Sequence, residues 1–292
     1  TFVHTEPGAV GRMDDGKWCA APRRACWATL VTDAQYLPGL VVLAHSLALH
    51  ESLYPLVVMV TEQVDDATRV LMARLGCTIR EVPAWNVATG DQLAHSRFVH
   101  VYTKLRAFEL VEYDRVVLVD TDMLVMRNMD ELMELELAPD TIAASPACTC
   151  NPNRIPTYPA DWTPTACAYA AHARPLALTH TSPRTHHLLN SGLVVLRPSI
   201  VQMHAMGDFV EARHDHITQY RFPDQDLLAD VYAGRYIPLP WYYNALKTLR
   251  RCHADMWQDD AIRNVHYILE YVSCHALTQQ TMDAGAAVRV GT

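Results

Sequence analysis

Between Arg115 and Met126 the chain climbs through Val116, Val117, Leu118 and Val119 and stops on Asp120, Thr121 and Asp122. A short β-branched run of this kind reads as a strand buried on both faces. Ionised carboxylates at the end of such a strand need a compensating partner. Their oxygens are hard ligands suited to Mg²⁺ or Mn²⁺, and open α/β sheets place ligands at the carboxyl ends of their strands. An isolated Asp-x-Asp is more often a solvated turn after a core strand. The surrounding chain therefore has to decide between the two.

Upstream, strands are expected at 25–32, 55–61 and 78–82, alternating with helices at 36–50, 65–75 and 103–113. Their hydrophobic periods are the basis for the assignment. The acidic start of the second helix suits its N-terminal end. Downstream come a short helix at 128–135, strands at 141–145 and 190–197, helices at 198–214 and 224–231, and a last strand at 264–268. Alternation of this kind predicts an α/β fold with a mostly parallel central sheet covered by helices on both faces. The ligand would lie across the strand ends that carry Thr32, Asp120 and Asp122. Residues 1–24 read as an irregular arm, and 25–292 as a single domain. Residues 146–187, rich in Pro, Thr, Cys and His, form a long loop-rich insertion, and a segment of that kind is usually functional or disordered.

A chain of 292 residues, half of them hydrophobic, can bury a large core. Its net charge of −8 argues against nucleic acid as the main partner. No run reaches the length of a transmembrane helix, so a cytoplasmic location is the first expectation. The chain opens on Thr1, which leaves a removed signal or anchor open. There are eight cysteines. Cys148, Cys150 and Cys167 match no common zinc spacing, so free or occasionally paired thiols are expected.

Four constellations could carry chemistry. Asp120 and Asp122 come first. His266 sits on the last strand, and a neutral imidazole could complete a divalent site better suited to Mn²⁺ than Mg²⁺. Asp224, Gln225 and Asp226 open a helix, where capping would explain one of them but not all three. Lys104 and Arg106 lie just upstream of the acidic strand, in a chain whose only other lysines are Lys17 and Lys247. A serine-hydrolase elbow, a phosphate-binding Gly-Lys loop and a dinucleotide glycine fingerprint are all missing, which disfavours esterases, NTPases and dehydrogenases.

Taken together these residues resemble glycosyltransferase family 8, the family of glycogenin, galactinol synthase and certain bacterial α-galactosyltransferases. The resemblance runs through Thr29 to Tyr36, Gly39, His45 to Leu47, Thr103 to Leu105, the Asp120–Asp122 motif, Asn190 to Gly192, Asp224 and Gln225, Asn244, and His266 to Ile268. Each motif is short, and the weight lies in their joint order and spacing. The resemblance implies a GT-A nucleotide-diphospho-sugar transferase fold and a retaining enzyme that moves glucose or galactose from a UDP-sugar to a hydroxyl acceptor. It implies Mn²⁺, or Mg²⁺, held by the DxD pair Asp120 and Asp122 with His266. Thr29, Leu30, Thr32, Tyr36 and Thr121 would bind the nucleotide, with Tyr36 stacked on the base. Asn190, Ser191, Asp224, Gln225 and Arg106 would hold the sugar, and Gln225, Asp224 and Lys104 would act at the reacting centre.

The acceptor could be a polyol, a glycan or a protein, in a galactinol-synthase-like or glycogenin-like reaction. A homodimer is compatible with such a domain. One departure stands out. Family members usually follow the His-bearing strand with a Gly/Lys-Pro-Trp segment, whereas here Ile268 leads into Leu269, Glu270 and Tyr271, with no Lys or Pro before Cys274. Arg250 or Arg251 could substitute as the cation. The alternative is a nucleotide-sugar-binding protein with weak or lost catalysis.

Overall fold

The computed structural model describes residues 24–87, 101–170, 178 and 181–268, together with the backbone of three strands nearer the start. Those strands, β1 (Phe2–His4), β2 (Val10–Asp14) and β3 (Lys17–Ala20), pair antiparallel in a sheet of their own. The sequence by itself reads this stretch as irregular, because its apolar positions show no period.

The body of the domain opens with β4 (Ala25–Val31) and α1 (Leu37–Leu49), then β5 (Leu56–Val60), α2 (Asp66–Arg74) and β6 (Thr78–Glu81). Next are β7 (Arg115–Val119), β8 (Met123–Val125), β9 (Ile142–Pro146) and β10 (Leu189–Leu196). The chain continues through α3 (Ile200–Ala212), α4 (His214–Ile217), α5 (Pro223–Val231), β11 (Tyr236–Pro238), β12 (Ala245–Leu246), α6 (Lys247–Cys252) and β13 (Asn264–His266). The helix expected at 103–113 is instead a 3₁₀ helix, Val101–Glu109, and the one at 128–135 is a 3₁₀ turn, Asp130–Glu134.

Seven strands form the central sheet in the order β11-β9-β10-β7-β4-β5-β6. β7, β4, β5 and β6 run parallel, and β10 reverses against both β7 and β9. Alternate side chains feed two cores, as the period of two in a strand requires. Cys26, Ala28, Val116 and Leu118 pack with Tyr102, Leu105 and Phe108 of the 3₁₀ helix, with Met203 and Met206 of α3 and with Leu227 of α5. Trp27, Val31, Val117 and Val119 point the other way, onto Leu40, Leu43 and Leu47 of α1 and Met72 of α2. Helices on both faces explain why these strands read as continuous apolar runs rather than alternating ones.

Helix starts follow local capping chemistry. Asp65 accepts the Thr68 N–H at 2.7 Å ahead of α2, and Ser199 accepts from Gln202 ahead of α3. At α1 the approach of the backbone decides instead. A Cβ on Gly39 would lie 2.6 Å from the Thr121 carbonyl oxygen, so glycine lets α1 pack directly beneath the Asp-Thr-Asp turn.

A second, smaller sheet has the order β12-β13-β8. β8 begins immediately after Asp122, and β13 pairs with it so that His266 lies opposite Met123. The Tyr267 N–H donates to the Asp122 carbonyl oxygen at 3.0 Å. That register carries the last strand back to the acidic turn.

Candidate active site

Strand pairing assembles the site. The Asp120 N–H donates to Gly192 O at 2.9 Å, so the end of β7 lies beside Asn190 and Ser191 on β10. From β13, His266 Nε2 comes within 3.2 Å of Asp122 Oδ1 and 3.9 Å of Asp120 Oδ2. From the 3₁₀ helix, Lys104 Nζ reaches Asp120 Oδ1 at 3.1 Å and Asp224 Oδ2 at 2.5 Å. Ser191 Oγ donates to the same Asp224 oxygen at 2.6 Å. Lys104, Asp224 and His266 are buried, at 8%, 8% and 2% exposure.

The electrostatics follow from that burial. Desolvation works against the Lys104 ammonium, but Asp120 and Asp224 outweigh it and hold the lysine above its ordinary range. Burial would raise Asp224, yet Lys104 and Ser191 keep it below the usual carboxylate value. For Asp122, the pull of His266 and Lys104 exceeds desolvation and the net shift is downward. Asp120 goes the other way, with burial and the neighbouring Asp122 prevailing over Lys104 and His266.

Asp120, Asp122 and His266 each place one ligand atom within 4.8 Å of the others, which suits a divalent ion. Three carboxylates here face one ammonium, an excess of two negative charges that a divalent cation would match. Two oxygens and one imidazole nitrogen form a donor set of intermediate hardness, compatible with Mn²⁺.

A chain of side-chain amides runs behind this cluster. His266 Nδ1 meets Asn244 Oδ1 at 2.8 Å, Asn244 Nδ2 donates to Asn190 Oδ1 at 2.7 Å, and Asn190 Nδ2 donates to Gln225 Oε1 at 3.1 Å. Asn190 Oδ1 also accepts the Gly192 N–H. Asn244 is recognisable in the sequence as a family motif residue, but its place behind the imidazole depends on the pairing of β12 with β13. Gly192 is equally constrained, since a Cβ there would fall 2.2 Å from His266 Cε1.

The helix start at Asp224 divides its residues between two tasks. Asp226 Oδ2 accepts the backbone N–H groups of Arg221 and Phe222, both at 2.8 Å, while Asp224 and Gln225 turn to Lys104 and Asn190. Asp226 therefore does the local capping work, and its two neighbours are left for the cluster.

The residues expected at the nucleotide divide as well. Tyr36 is half-buried, and its phenol is pushed up by burial and by Asp33, Asp122 and Asp120. Thr121 forms the turn itself. Leu30 and Thr32 are partly exposed at the end of β4, but Thr29 is fully buried with an unpartnered Oγ1, on the same face as Trp27 and Val31. Its side chain lies within the core. Arg106 is directed elsewhere: it donates to Pro83 O and to Glu109 Oε1, and it lines a surface cavity with Trp85, Met203 and His204. Arg251 donates to Asn153 Oδ1 at 2.9 Å, and Arg250 is exposed on α6. The segment that follows Ile268, where family members carry Lys-Pro-Trp, lies outside the described residues.

Comparison with known proteins bears on the family and the fold. Galactinol synthase 1 of Solanum lycopersicum is 29% identical over 242 residues, covering 82% of this chain and 69% of that protein. Galactinol synthase 2 of Arabidopsis thaliana is 26% identical over 246 residues, covering 84% and 71%. Among solved structures, the galactosyltransferase LgtC in complex with donor and acceptor sugar analogues shares the fold with a TM-score of 0.58 at 16% identity, covering 91% of this chain and 96% of that one. The glycosyltransferase GlyE of Streptococcus pneumoniae TIGR4 superposes with a TM-score of 0.55 at 16% identity, covering 84% of this chain but only 55% of its own. The model of the family described as "Glycosyl transferase family 8" matches residues 28–271. With Lys104, the acidic turn and His266 all inside that span, the chain belongs to glycosyl transferase family 8.

Proposed function

We propose that this protein is a retaining, metal-dependent hexosyltransferase that moves galactose or glucose from a UDP-sugar to a hydroxyl of a small polyol. The observation that carries the reading is Lys104, which bridges Asp120 at the metal end of the cluster to Asp224 at the sugar end. The similarity to galactinol synthases supports a polyol acceptor over a protein one. Tyr243, in the region where a self-glycosylated tyrosine could be sought, instead donates to Glu131 at 2.9 Å.

In this reading Asp120, Asp122 and His266 hold Mn²⁺ or Mg²⁺, which supplies Lewis-acid stabilisation for the diphosphate. Tyr36, Leu30 and Thr32 border the nucleotide. Lys104 places a fixed positive charge where the leaving UDP gains negative charge. Asn190 and Gln225 offer amide donors and acceptors to the sugar hydroxyls.

Retention by double displacement would need a free nucleophile on the far face of the sugar. Asp224 Oδ2 is committed to both Lys104 and Ser191, and the Gln225 amide is a poor nucleophile. Same-face attack fits better. The acceptor oxygen bonds to the anomeric carbon as the bond from that carbon to phosphate oxygen breaks. The bonding pair leaves with UDP, and a departing phosphate oxygen takes the hydroxyl proton. A trapped sugar adduct on Asp224 or Gln225 would overturn this route.

The test is Mn²⁺-dependent release of UDP from a panel of UDP-sugars and polyols, comparing the chain with Asp122→Asn. Turnover that requires the metal and vanishes in the variant supports the reading. Donor binding without turnover across the panel would favour a nucleotide-sugar-binding protein, for which the missing Lys-Pro segment after Ile268 speaks.

A further inference from the structure

A second group of metal-ligating side chains lies outside the site just described. Cys148, Cys150, Cys167 and His253 bring three thiols and one imidazole nitrogen together, with all ligand atoms within 4.8 Å of one another. His253 Nε2 is 3.8 Å from Cys148 Sγ, 3.1 Å from Cys150 Sγ and 3.5 Å from Cys167 Sγ. A tetrahedral ion with metal–sulfur bonds of about 2.3 Å and a metal–nitrogen bond of about 2.0 Å sets sulfur and nitrogen about 3.5 Å apart. The three distances bracket that value. Cys167 is fully buried, Cys150 is 4% exposed, and Cys148 and His253 are half-buried, so the group is shielded but not sealed.

We propose that Cys148, Cys150, Cys167 and His253 form a structural Zn²⁺ site. Three sulfurs and one nitrogen, all protein ligands with no fourth position left open, are the composition of a closed zinc site rather than a catalytic one. The other described buried thiols, Cys26 and Cys77, sit among aliphatic side chains as ordinary core residues. The four ligands instead converge from three separate stretches. Two follow the end of β9, one follows the 3₁₀ turn Pro164–Ala166, and His253 is the C-cap of α6.

The location gives the ion a task. The chain between Pro146 and Ala170 contributes little regular backbone pairing; Tyr158 and Trp162 pack its middle against Phe222, and the cysteine group ties its two ends together. A bond from Cys167 to His253 would close 86 residues of chain and pin this segment to α6. α6 continues directly from β12, which pairs with the strand bearing His266. The site would thus brace the outer side of the small sheet that positions the catalytic imidazole. Tyr169 reinforces the join, with its ring edge-on to His253 at 5.7 Å and its hydroxyl donating to Pro146 O at 2.7 Å. Cys252 is a fifth candidate within reach of Cys148 and Cys150, but it lies outside the mutually close set of four.

The whole chain, purified and dialysed against a chelator that strips weakly held ions, is analysed for metal by mass spectrometry. One zinc per chain is expected, in Asp122→Asn as well as in the unaltered protein, which separates this ion from any held by the acidic turn. Replacement by Co²⁺ should give thiolate-to-metal charge transfer and tetrahedral d–d bands. Cys150→Ser and Cys167→Ser should lose the zinc, His253→Cys should keep it with a shifted cobalt spectrum, and Cys252→Ser should keep it unshifted. Should the serine variants fail to fold, metal content and the cobalt spectrum of the unaltered chain still decide. Substoichiometric zinc with freely reactive thiols, stoichiometric iron, or loss of zinc in Cys252→Ser but not in His253→Ala would overturn the assignment.

Discussion

The His266 imidazole donates its Nδ1–H to Asn244 Oδ1 at 2.8 Å, and this bond sets which ring nitrogen faces Asp120 and Asp122. The orientation can be traced to the backbone. The Gly192 N–H can only donate, so the Asn190 atom beside it must be oxygen, which makes the Asn244 atom bonded to Asn190 a nitrogen. Asn244 therefore offers oxygen to His266 Nδ1, and Nε2 is the ring nitrogen turned toward the carboxylates, 3.2 Å from Asp122 Oδ1. Asn244→Leu should weaken Mn²⁺ binding by about 10–100-fold, as expected when the partner behind a metal-binding histidine is lost. Mn²⁺ titration followed by electron paramagnetic resonance measures it. An unchanged affinity would mean that the imidazole needs no such support.

Gly192→Ala tests the same imidazole from its other side. The added methyl would meet His266 Cε1 at 2.2 Å and Met123 Cε at 2.9 Å. The ring is buried and tied to Asn244, so it cannot swing away without breaking that bond. Loss of metal-dependent turnover is expected, together with destabilisation of about 1–3 kcal/mol from overpacking. Urea unfolding and UDP release check the two effects separately.

Lys104 compensates two carboxylates, the buried Asp224 and the partly exposed Asp120. Lys104→Met should cost about 3–5 kcal/mol, because Asp224 is left charged and unpaired in the interior. Lys104→Met combined with Asp224→Leu should regain much of that stability while remaining inactive. Equilibrium denaturation of the two single variants and the double variant gives the coupling. Additive losses would show that the pair does not interact energetically.

Asp226 predicts a pH dependence. Burial pushes its carboxyl up to about 6 against the pull of the Phe222 and Arg221 amides, with Asp224 and Asp230 adding to the rise. The folded state then holds the proton more tightly than the unfolded state, where the ordinary value of 3.8 applies. This contribution favours folding most below 3.8 and is lost as the pH climbs to about 6. Asp226→Asn removes the ionisation. Its stability should match the parent near about pH 4 and exceed it near about pH 8 by on the order of 1–3 kcal/mol. Denaturant midpoints at both pH values decide, and a variant shifted equally at each would contradict the assignment.

Where hydrophobic order was local, the sequence was a sound guide. The runs at Leu56–Val60 and Arg115–Val119 are strands buried on both faces, and the heptad-like spacing of Leu40, Leu43 and Leu47 does face the core. The 3₁₀ geometry of Val101–Glu109 was not legible, because side-chain periodicity barely separates a 3₁₀ turn from an α-helical one. The short strands β11 and β12 carry too few residues to show a period. Arg106 looks from its spacing like a companion of Lys104, yet two residues along a helix point to different faces, and Arg106 turns to Glu109.

By itself, then, the sequence determined the alternation of strands and helices, the acidic turn at a strand end and the set of motifs that mark the family. All of these are contained in short stretches where periodicity and residue chemistry act locally. Tertiary structure alone decided that Lys104 joins Asp120 to Asp224, that Asn244 stands behind His266, and that His253 meets three cysteines more than eighty residues away in the chain. Those contacts arise from strand order and register, which are set by the packing of the whole domain and leave no mark in the spacing of the residues they bring together.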